Sequence, residues 1–468
     1  MKTLWLSALA RMVGGHLEGE DRQVFAVSTD TRTLFNGDGV LFIALKGERF
    51  DGHEHLQAAA EAGATAALVS HHMPARVAGW DLPQIVVPDT ERALADLAAT
   101  LQHERVGGKV VAITGSNGKT SVKTLVLSIL ERAGKTYANP GNRNNEIGLP
   151  LAVIDAPDDA HFAVYEMGAG KPGDIAYLTR IARPDVALVN NIAPAHLERM
   201  GSLLAVADTK AAIYDALPAA GTAVINADDA FAPYFAERAH GRPLVYFGLD
   251  QGADVTARDI TLDAEGSQFT LVTTAGEAPV RLAMPGRHNV RNALAAAAMA
   301  GALGVPLDII AEGLSAAQQV AGRLISHRLG NGAVLIDDSY NANPGSLAAA
   351  IDTLAAGGGE GWLVLGDMRE LGDDAEAMHA EAGRRAKAAG LRRLYTLGPL
   401  SAAAANAFGE GAVQFDSHDA LAAALAADLR EGVRVLVKGS RGSAMDRIVT
   451  ALLGAAGRQE NKGDTHAA

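Results

Sequence analysis

Apolar residues in this chain alternate between short buried runs and stripes at helical spacing, a pattern that predicts layered α/β architecture. In the middle of the chain, Val110-Val111-Ala112-Ile113 reads as a strand. Val122, Leu125, Val126, Ile129 and Leu130 then fall at i, i+3, i+4, i+7 and i+8 of a helix. Ala163-Val164-Tyr165, Val186-Ala187-Leu188-Val189 and Ala223-Val224-Ile225 supply further strands, as in a mostly parallel sheet covered on both faces. From Val255 to Leu282 the spacing changes to period two, with Phe269, Leu271 and Thr273 on one side, and predicts an antiparallel hairpin.

The segment before this unit carries strand-like runs from Val40 to Leu45, Ala66 to Val69 and Ile85 to Val87. Helical stretches run from Leu56 to Ala62 and from Glu91 to about Arg105, and Gly107-Gly108 follows as a candidate hinge. Leu4, Trp5, Ala8, Leu9 and Met12 share one helical face, so the N-terminus reads as an amphipathic helix and not a secretion signal. Beyond Gly322-Arg323, Val334 to Ile336, Trp362 to Leu365, Leu394 to Leu397 and Val433 to Val437 read as strands between Ala-rich helices. That is a doubly wound pattern, whose ligands lie beyond the carboxyl ends of the strands. The expected division is 1–106, 107–321 and 322–456, followed by a polar, disordered tail at 457–468.

Composition narrows the function. At 468 residues the chain has room for about three domains. A net charge of -13 argues against a generic nucleic-acid or anionic-membrane surface. The absence of cysteine excludes disulfides, thiolate catalysis and Cys-ligated zinc. No apolar run is long enough to span a membrane.

The densest chemistry lies between the first central strand and its helix, at Gly115-Ser116-Asn117-Gly118-Lys119-Thr120. Glycines allow close backbone approach, and loop amides at a helix N-terminus attract phosphate. Lys119 suits the terminal phosphates and the Thr120 hydroxyl suits Mg²⁺. Glu166, at the end of a later strand, offers a second hard oxygen ligand, and His196 follows the next strand. Lys210 sits among Ala207, Ala211, Ala212 and Ile213, where a lysine ordinarily snorkels to solvent. A loop dense in amides carries Asn142, Asn144 and Asn145, which suit a carboxylate or sugar-nucleotide substrate. Asn289 and Asn292 stand three apart at a helix start and would face one ligand together.

In order along nearly the whole chain, GSNGKT, EMGAG around Glu166, NIAPAHLE around His196, GRHNVRNA and DDSYNANP from Asp337 to Pro344 resemble the Mur ligases. The resemblance implies three α/β domains: a small N-terminal substrate domain, a central P-loop ATPase-type parallel sheet and a C-terminal Rossmann-like doubly wound domain. It implies a cytoplasmic, monomeric, ATP- and Mg²⁺-dependent amide-forming ligase of peptidoglycan precursor synthesis. The third-domain motif favours the activity joining D-alanyl-D-alanine to UDP-N-acetylmuramoyl-tripeptide through an acyl phosphate. Neither nucleic acid nor membrane is implied as a partner. The tripeptide-forming ligase, a folylpolyglutamate synthase-like ligase and a non-ligating ATP hydrolase are the alternatives.

By the same resemblance, Gly115, Ser116, Asn117, Gly118, Lys119, Thr120, Asn289, Asn292, Arg323 and Asp338 bind ATP. Thr120, Glu166, His196 and a carbamylated Lys210 hold metal, and Lys119, Glu166, His196 and Lys210 are catalytic. Ser28, Thr29, Asp30, Arg32 and Lys46 in the first domain, with Asn142, Asn144, Asn145, Asn341, Asn343 and Lys438, contact the amino-acid and nucleotide substrates.

Overall fold

The computed structural model describes residues 1–34, 38–48, 50–74, 82–194, 197–263 and 265–463, with 455–463 as backbone only. Three main sheets follow one another along the chain. The central sheet is six-stranded and wholly parallel, in the order Leu244–Phe247, Thr222–Asn226, Val186–Val189, Lys109–Thr114, Phe162–Glu166, Thr136–Ala138. Its first strand in sequence, Lys109–Thr114, therefore lies in the interior, flanked by strands that leave in opposite directions. This is the switch point at which open α/β sheets form their ligand crevice.

Alternation along the strands divides the core. Val111 and Ile113 face a cluster with the helices Lys119–Ala133 and Arg287–Ala302, while Val110 and Ala112 face the opposite cluster. All five predicted apolar positions of the helix Lys119–Ala133 are fully buried. The period-two region forms a meander of three antiparallel strands, Thr256–Leu262, Ser267–Thr273 and Gly276–Leu282, one more than the predicted hairpin. Phe269 and Leu271 seal its inner face.

The N-terminal sheet has the order His16–Glu18, Gln84–Val86, Ala66–Val69, Val40–Ile43, Ala26–Ser28, with only the first pairing antiparallel. Its residues Leu41, Ile43, Leu68 and Ile85, the helix Thr90–Glu104 and one face of the central sheet share a single hydrophobic cluster. Arg105 adds hydrogen bonds to the carbonyls of Val153 and Ala156, both 2.7 Å. The core thus continues across Gly107-Gly108, so bending there would have to open it. At the extreme N-terminus the helix is Leu6–Met12, preceded by a short strand Leu4–Trp5. Leu6, Leu9 and Ala10 form the buried face, and Trp5 is exposed because it belongs to the strand, not to the predicted helical face.

The third sheet has the order Ile325–Arg328, Val334–Asp338, Val433–Lys438, Glu360–Gly366, Arg393–Leu397, Ala412–Phe415, parallel except for its first strand. It owns separate clusters on its two faces, as doubly wound domains do. The last helix is Asp446–Gly463, so helical backbone continues past Gly457, where the tail was expected to begin. The residues there, Arg, Gln, Glu and Lys, are good helix formers.

Candidate active site

The loop after Lys109–Thr114 turns through Gly115 (φ +149°) and Gly118 (φ +79°) before the helix starts at Lys119. A Cβ on Gly118 would lie 2.5 Å from both Asn190 Nδ2 and Asn292 Oδ1, so glycine is required by space as well as by φ. Those amides hold the loop. Asn190 Nδ2 donates to the Asn117 carbonyl (2.9 Å) and to Asn292 Oδ1 (3.0 Å). Asn191 accepts from the Asn117 amide (2.9 Å) and donates to its carbonyl (3.1 Å). Ser116 Oγ donates to the Ala193 carbonyl at 3.0 Å. Asn292 donates onward to Asn289 Oδ1 (3.1 Å). The predicted pair Asn289 and Asn292 therefore faces the loop together and lines the same cavity. Lys119 Nζ folds back onto the Gly115 carbonyl (2.8 Å), and desolvation lowers its pKa against the pull of Glu166.

Glu166 ends the adjacent strand with its side chain buried. Asn144 Nδ2 donates to its Oε1 at 2.8 Å, and Lys123 Nζ stands 3.5 Å from its Oε2. Oε2 itself accepts no hydrogen bond. Among the described residues no three His, Asp or Glu side chains converge as a self-sufficient metal site. The Thr120 hydroxyl and Glu166 are nonetheless hard oxygen donors, one with an unsatisfied buried oxygen. That set suits Mg²⁺, which takes one or two protein oxygens and completes its shell from phosphates and water.

The third sheet closes the crevice from the other side. Arg323 donates through Nη2 to Thr120 Oγ1 (3.1 Å) and lies over the Tyr340 ring, 4.6 Å from its centroid. Asp338 is buried against Lys438 (2.5 Å), whose ammonium also reaches the Asn341 carbonyl (3.0 Å). Burial raises the Asp338 pKa and the lysine opposes the rise. Asn343 caps the helix Pro344–Ala356 by accepting from the Ser346 amide, and its Nδ2 donates to Asn117 Oδ1 at 2.7 Å. One cavity of about 650 Å³ is lined by the phosphate-type loop, Asn144, Asn145, Glu166, Lys210, Asn289, Asn292, Arg323, Asp338, Asn341, Asn343 and Lys438.

Lys210 does not snorkel. It is buried at the cavity wall, where desolvation and the nearby Lys119 lower its pKa to about 7. Asn142 is exposed and off the cavity. Ser28, Thr29, Asp30, Arg32 and Lys46 also lie away from this lining, in the N-terminal unit. There Asp30 and Arg32 form an ion pair at 2.7 Å that holds the Asp30 pKa at about 2, and Lys46 stands 3.5 Å from Asp51. His196 lies outside the described residues. Sequence reasoning missed Lys123, and it gave Asn139, Asn190 and Asn191 no role of their own although they lie in the amide-rich loop and the His196 segment. For Lys123 the one available signal was its place one turn after Lys119 on the same helix.

A nucleotide-type loop, a carboxylate at the adjacent strand end and a third α/β unit closing over both define a class of multidomain P-loop enzyme. The chain matches three family models: "Mur ligase family, catalytic domain" at 25–102, "Mur ligase middle domain" at 113–300 and "Mur ligase, glutamate ligase domain" at 322–441. It belongs to the Mur ligase family. Within it, the chain is 43% identical to the UDP-N-acetylmuramoyl-tripeptide–D-alanyl-D-alanine ligase of Escherichia coli K12, over 97% of this chain and 99% of that one. A crystal structure of MurF from Acinetobacter baumannii superposes with a TM-score of 0.91 at 32% identity, covering 97% and 99% of the two chains. MurF from Thermotoga maritima, solved in complex with ADP, gives 0.82 at 27% identity over 93% and 98%. A folylpolyglutamate synthase of Mycobacterium tuberculosis shares the fold alone, with a TM-score of 0.62 at 19% identity over 77% of this chain and 94% of that one.

Proposed function

We propose that this chain joins D-alanyl-D-alanine to UDP-N-acetylmuramoyl-tripeptide, consuming ATP with Mg²⁺ and giving the pentapeptide, ADP and phosphate. The observation that carries the reading is the meeting of Lys119, Thr120 and Glu166 with Arg323, Asp338 and Asn343 around one cavity. Full-length identity to ligases with this printed activity supports the choice of substrates.

The chemistry follows from what an amide bond needs. A carboxylate is a poor electrophile, so the tripeptide's terminal carboxylate attacks the γ-phosphorus of ATP, giving an acyl phosphate and ADP. The dipeptide amine then adds to the acyl carbon, loses a proton and expels inorganic phosphate. Lys119 and Arg323 bring cationic charge to the place where two anions must approach. Thr120 and Glu166 are the proposed Mg²⁺ ligands, joined by His196 and by Lys210 as its carbamate. Bound there, Mg²⁺ would neutralise phosphate charge. An amine that is half neutral near pH 7 supports the carbamate, because CO₂ reacts with the neutral form.

Asn289 and Asn292 support the loop from the central unit, and Asp338 with Lys438 orders the third-unit strand ends facing it. Closing the third unit excludes water that would hydrolyse the acyl phosphate. The first unit is proposed to bind the uridine nucleotide through Ser28, Thr29, Asp30, Arg32 and Lys46, and Asn144, Asn145 and Asn341 to contact the peptide. The divisions 1–106, 107–321 and 322–456 match these three tasks, and a cytoplasmic monomer using cellular ATP is the setting proposed. Phosphate release that requires both the UDP-MurNAc-tripeptide and D-Ala-D-Ala tests the reading. Release with either one alone, or with neither, would sink it.

A further inference from the structure

The buried ammonium of Lys123 has no part in the chemistry above, yet it joins three elements of the site. It stands one turn after Lys119 on the same helix, so the two side chains leave from one face. They then diverge. Lys119 returns to the loop carbonyls, whereas Lys123 Nζ donates to the carbonyls of Asn139 (3.0 Å) and Gly141 (3.1 Å) and faces Glu166 Oε2 at 3.5 Å. Only 9% of the Lys123 side chain and 5% of the Glu166 side chain are exposed. A charge so deep is tolerated only when it is paired and hydrogen-bonded. Here Glu166 lines the cavity, while the two carbonyls belong to the segment leading to the cavity-lining residues Asn144 and Asn145.

The segment that Lys123 anchors is the one that holds Glu166. Asn139 Oδ1 accepts from the Glu166 amide (2.9 Å), Asn139 Nδ2 donates to the Glu166 carbonyl (3.0 Å), and Asn144 Nδ2 donates to Oε1 (2.8 Å). The Asn144 carbonyl also accepts from the Gly168 amide at 2.8 Å. One lysine thus fixes the carboxylate twice, by charge at Oε2 and through the 139–145 backbone at Oε1.

We infer that Lys123 is a positioning residue for phosphoryl transfer, presetting both the Glu166 carboxylate, which would help hold Mg²⁺, and the 139–145 segment before the phosphates arrive. This rests on the ligase reading above. Outer partners of metal ligands are commonly worth ~10–100-fold in activity or metal affinity, and an anchored carboxylate needs no reorganisation when the phosphates arrive.

The test uses the full-length protein. Lys123→Met keeps the unbranched stem and removes the charge. Its kcat for phosphate release with both substrates should fall ~10–100-fold, with KM for ATP changed less than ~3-fold and half-saturating Mg²⁺ raised. Amide hydrogen exchange should speed up in 139–145, by about tenfold, and not in the helix Leu307–Ala316 on the far side of the loop helix. Should that variant fold poorly, Lys123→Met/Glu166→Gln removes both charges and leaves no buried carboxylate unpaired. Exchange in 139–145 should then rise in the double variant and stay unchanged in Glu166→Gln alone. Wild-type kcat and Mg²⁺ dependence in Lys123→Met, or unchanged exchange in 139–145, would overturn the assignment. A wild-type enzyme that releases no phosphate with both substrates would instead overturn the ligase reading, and the exchange result would still stand by itself.

Discussion

Arg323 of the third unit donates a hydrogen bond to the Thr120 hydroxyl of the central loop, 3.1 Å away, across 203 residues of sequence. The guanidinium stacks on Tyr340, and its buried Nε has no acceptor. It is thus held beside the phosphate loop with donor capacity to spare for an incoming anion. Arg323→Met should lower kcat ~10–100-fold in steady-state phosphate release, and circular dichroism should show an unchanged fold. Near-wild-type turnover would remove Arg323 from the phosphate site.

For Lys119→Ala the expected loss is larger, ~10²–10³-fold in phosphoryl transfer, because a cation aimed at the developing charge disappears. Thermal unfolding should be little affected or slightly raised, since an ammonium whose pKa is lowered by desolvation no longer has to be buried. Rapid phosphate release by this variant with both substrates present would contradict the loop assignment.

Lys210 links pH to stability. Its pKa falls from 10.5 to about 7 on folding, so between those values the unfolded chain binds more protons than the folded one. In bicarbonate-free buffer the wild type should therefore gain stability as pH rises from about 7 to 10, and carry the full cost of the buried charge below 7. Lys210→Met should flatten that slope and be more stable at pH 6 by on the order of 5 kcal/mol. Urea unfolding at several pH values reads both effects. Added bicarbonate should restore mass to the Lys210 peptide and activity to a depleted enzyme; if neither responds, the carbamate is refuted.

Asn343 does two jobs that one substitution can separate. Serine is a good N-cap but too short to span the 2.7 Å contact with Asn117. Asn343→Ser should keep the melting temperature within about 2 °C while kcat falls. Asn343→Ala should lose the cap as well, costing about 1 kcal/mol. Equal kcat in Asn343→Ser and wild type would show that this contact plays no part in closure.

Gly118→Ala places a methyl group where Asn190 and Asn292 stand, at φ +79°. Strain and displaced amides should cost on the order of 1–3 kcal/mol of stability, and nucleotide binding by fluorescence titration should weaken in parallel. Wild-type affinity would mean that the amides do not shape the loop.

Local patterns were enough wherever one element carries its own signal. The stripe from Val122 to Leu130 is buried as its spacing demands, and Val186–Val189 is a strand as read. The edge strands Thr136–Ala138, Leu244–Phe247, Ile325–Arg328 and Ala412–Phe415 escaped notice because each has only three or four residues, too few to show a period whether the run is apolar, as in Leu244–Phe247, or mixed, as in Ile325–Arg328. Trp5 was misplaced because a two-residue strand breaks the helical period it was counted in.

The order of motifs along the chain already determined the α/β class, the phosphate loop and the family to which it belongs, because each motif is a contiguous element with its own chemistry. Only the tertiary structure decided that Lys210 is buried instead of solvated, that Asn190 and Asn191 brace Asn117, and that Lys123 meets Glu166. Those relations join residues on separate strands and helices. Burial, desolvation and hydrogen-bond partners are properties of the packed arrangement, which no single segment contains.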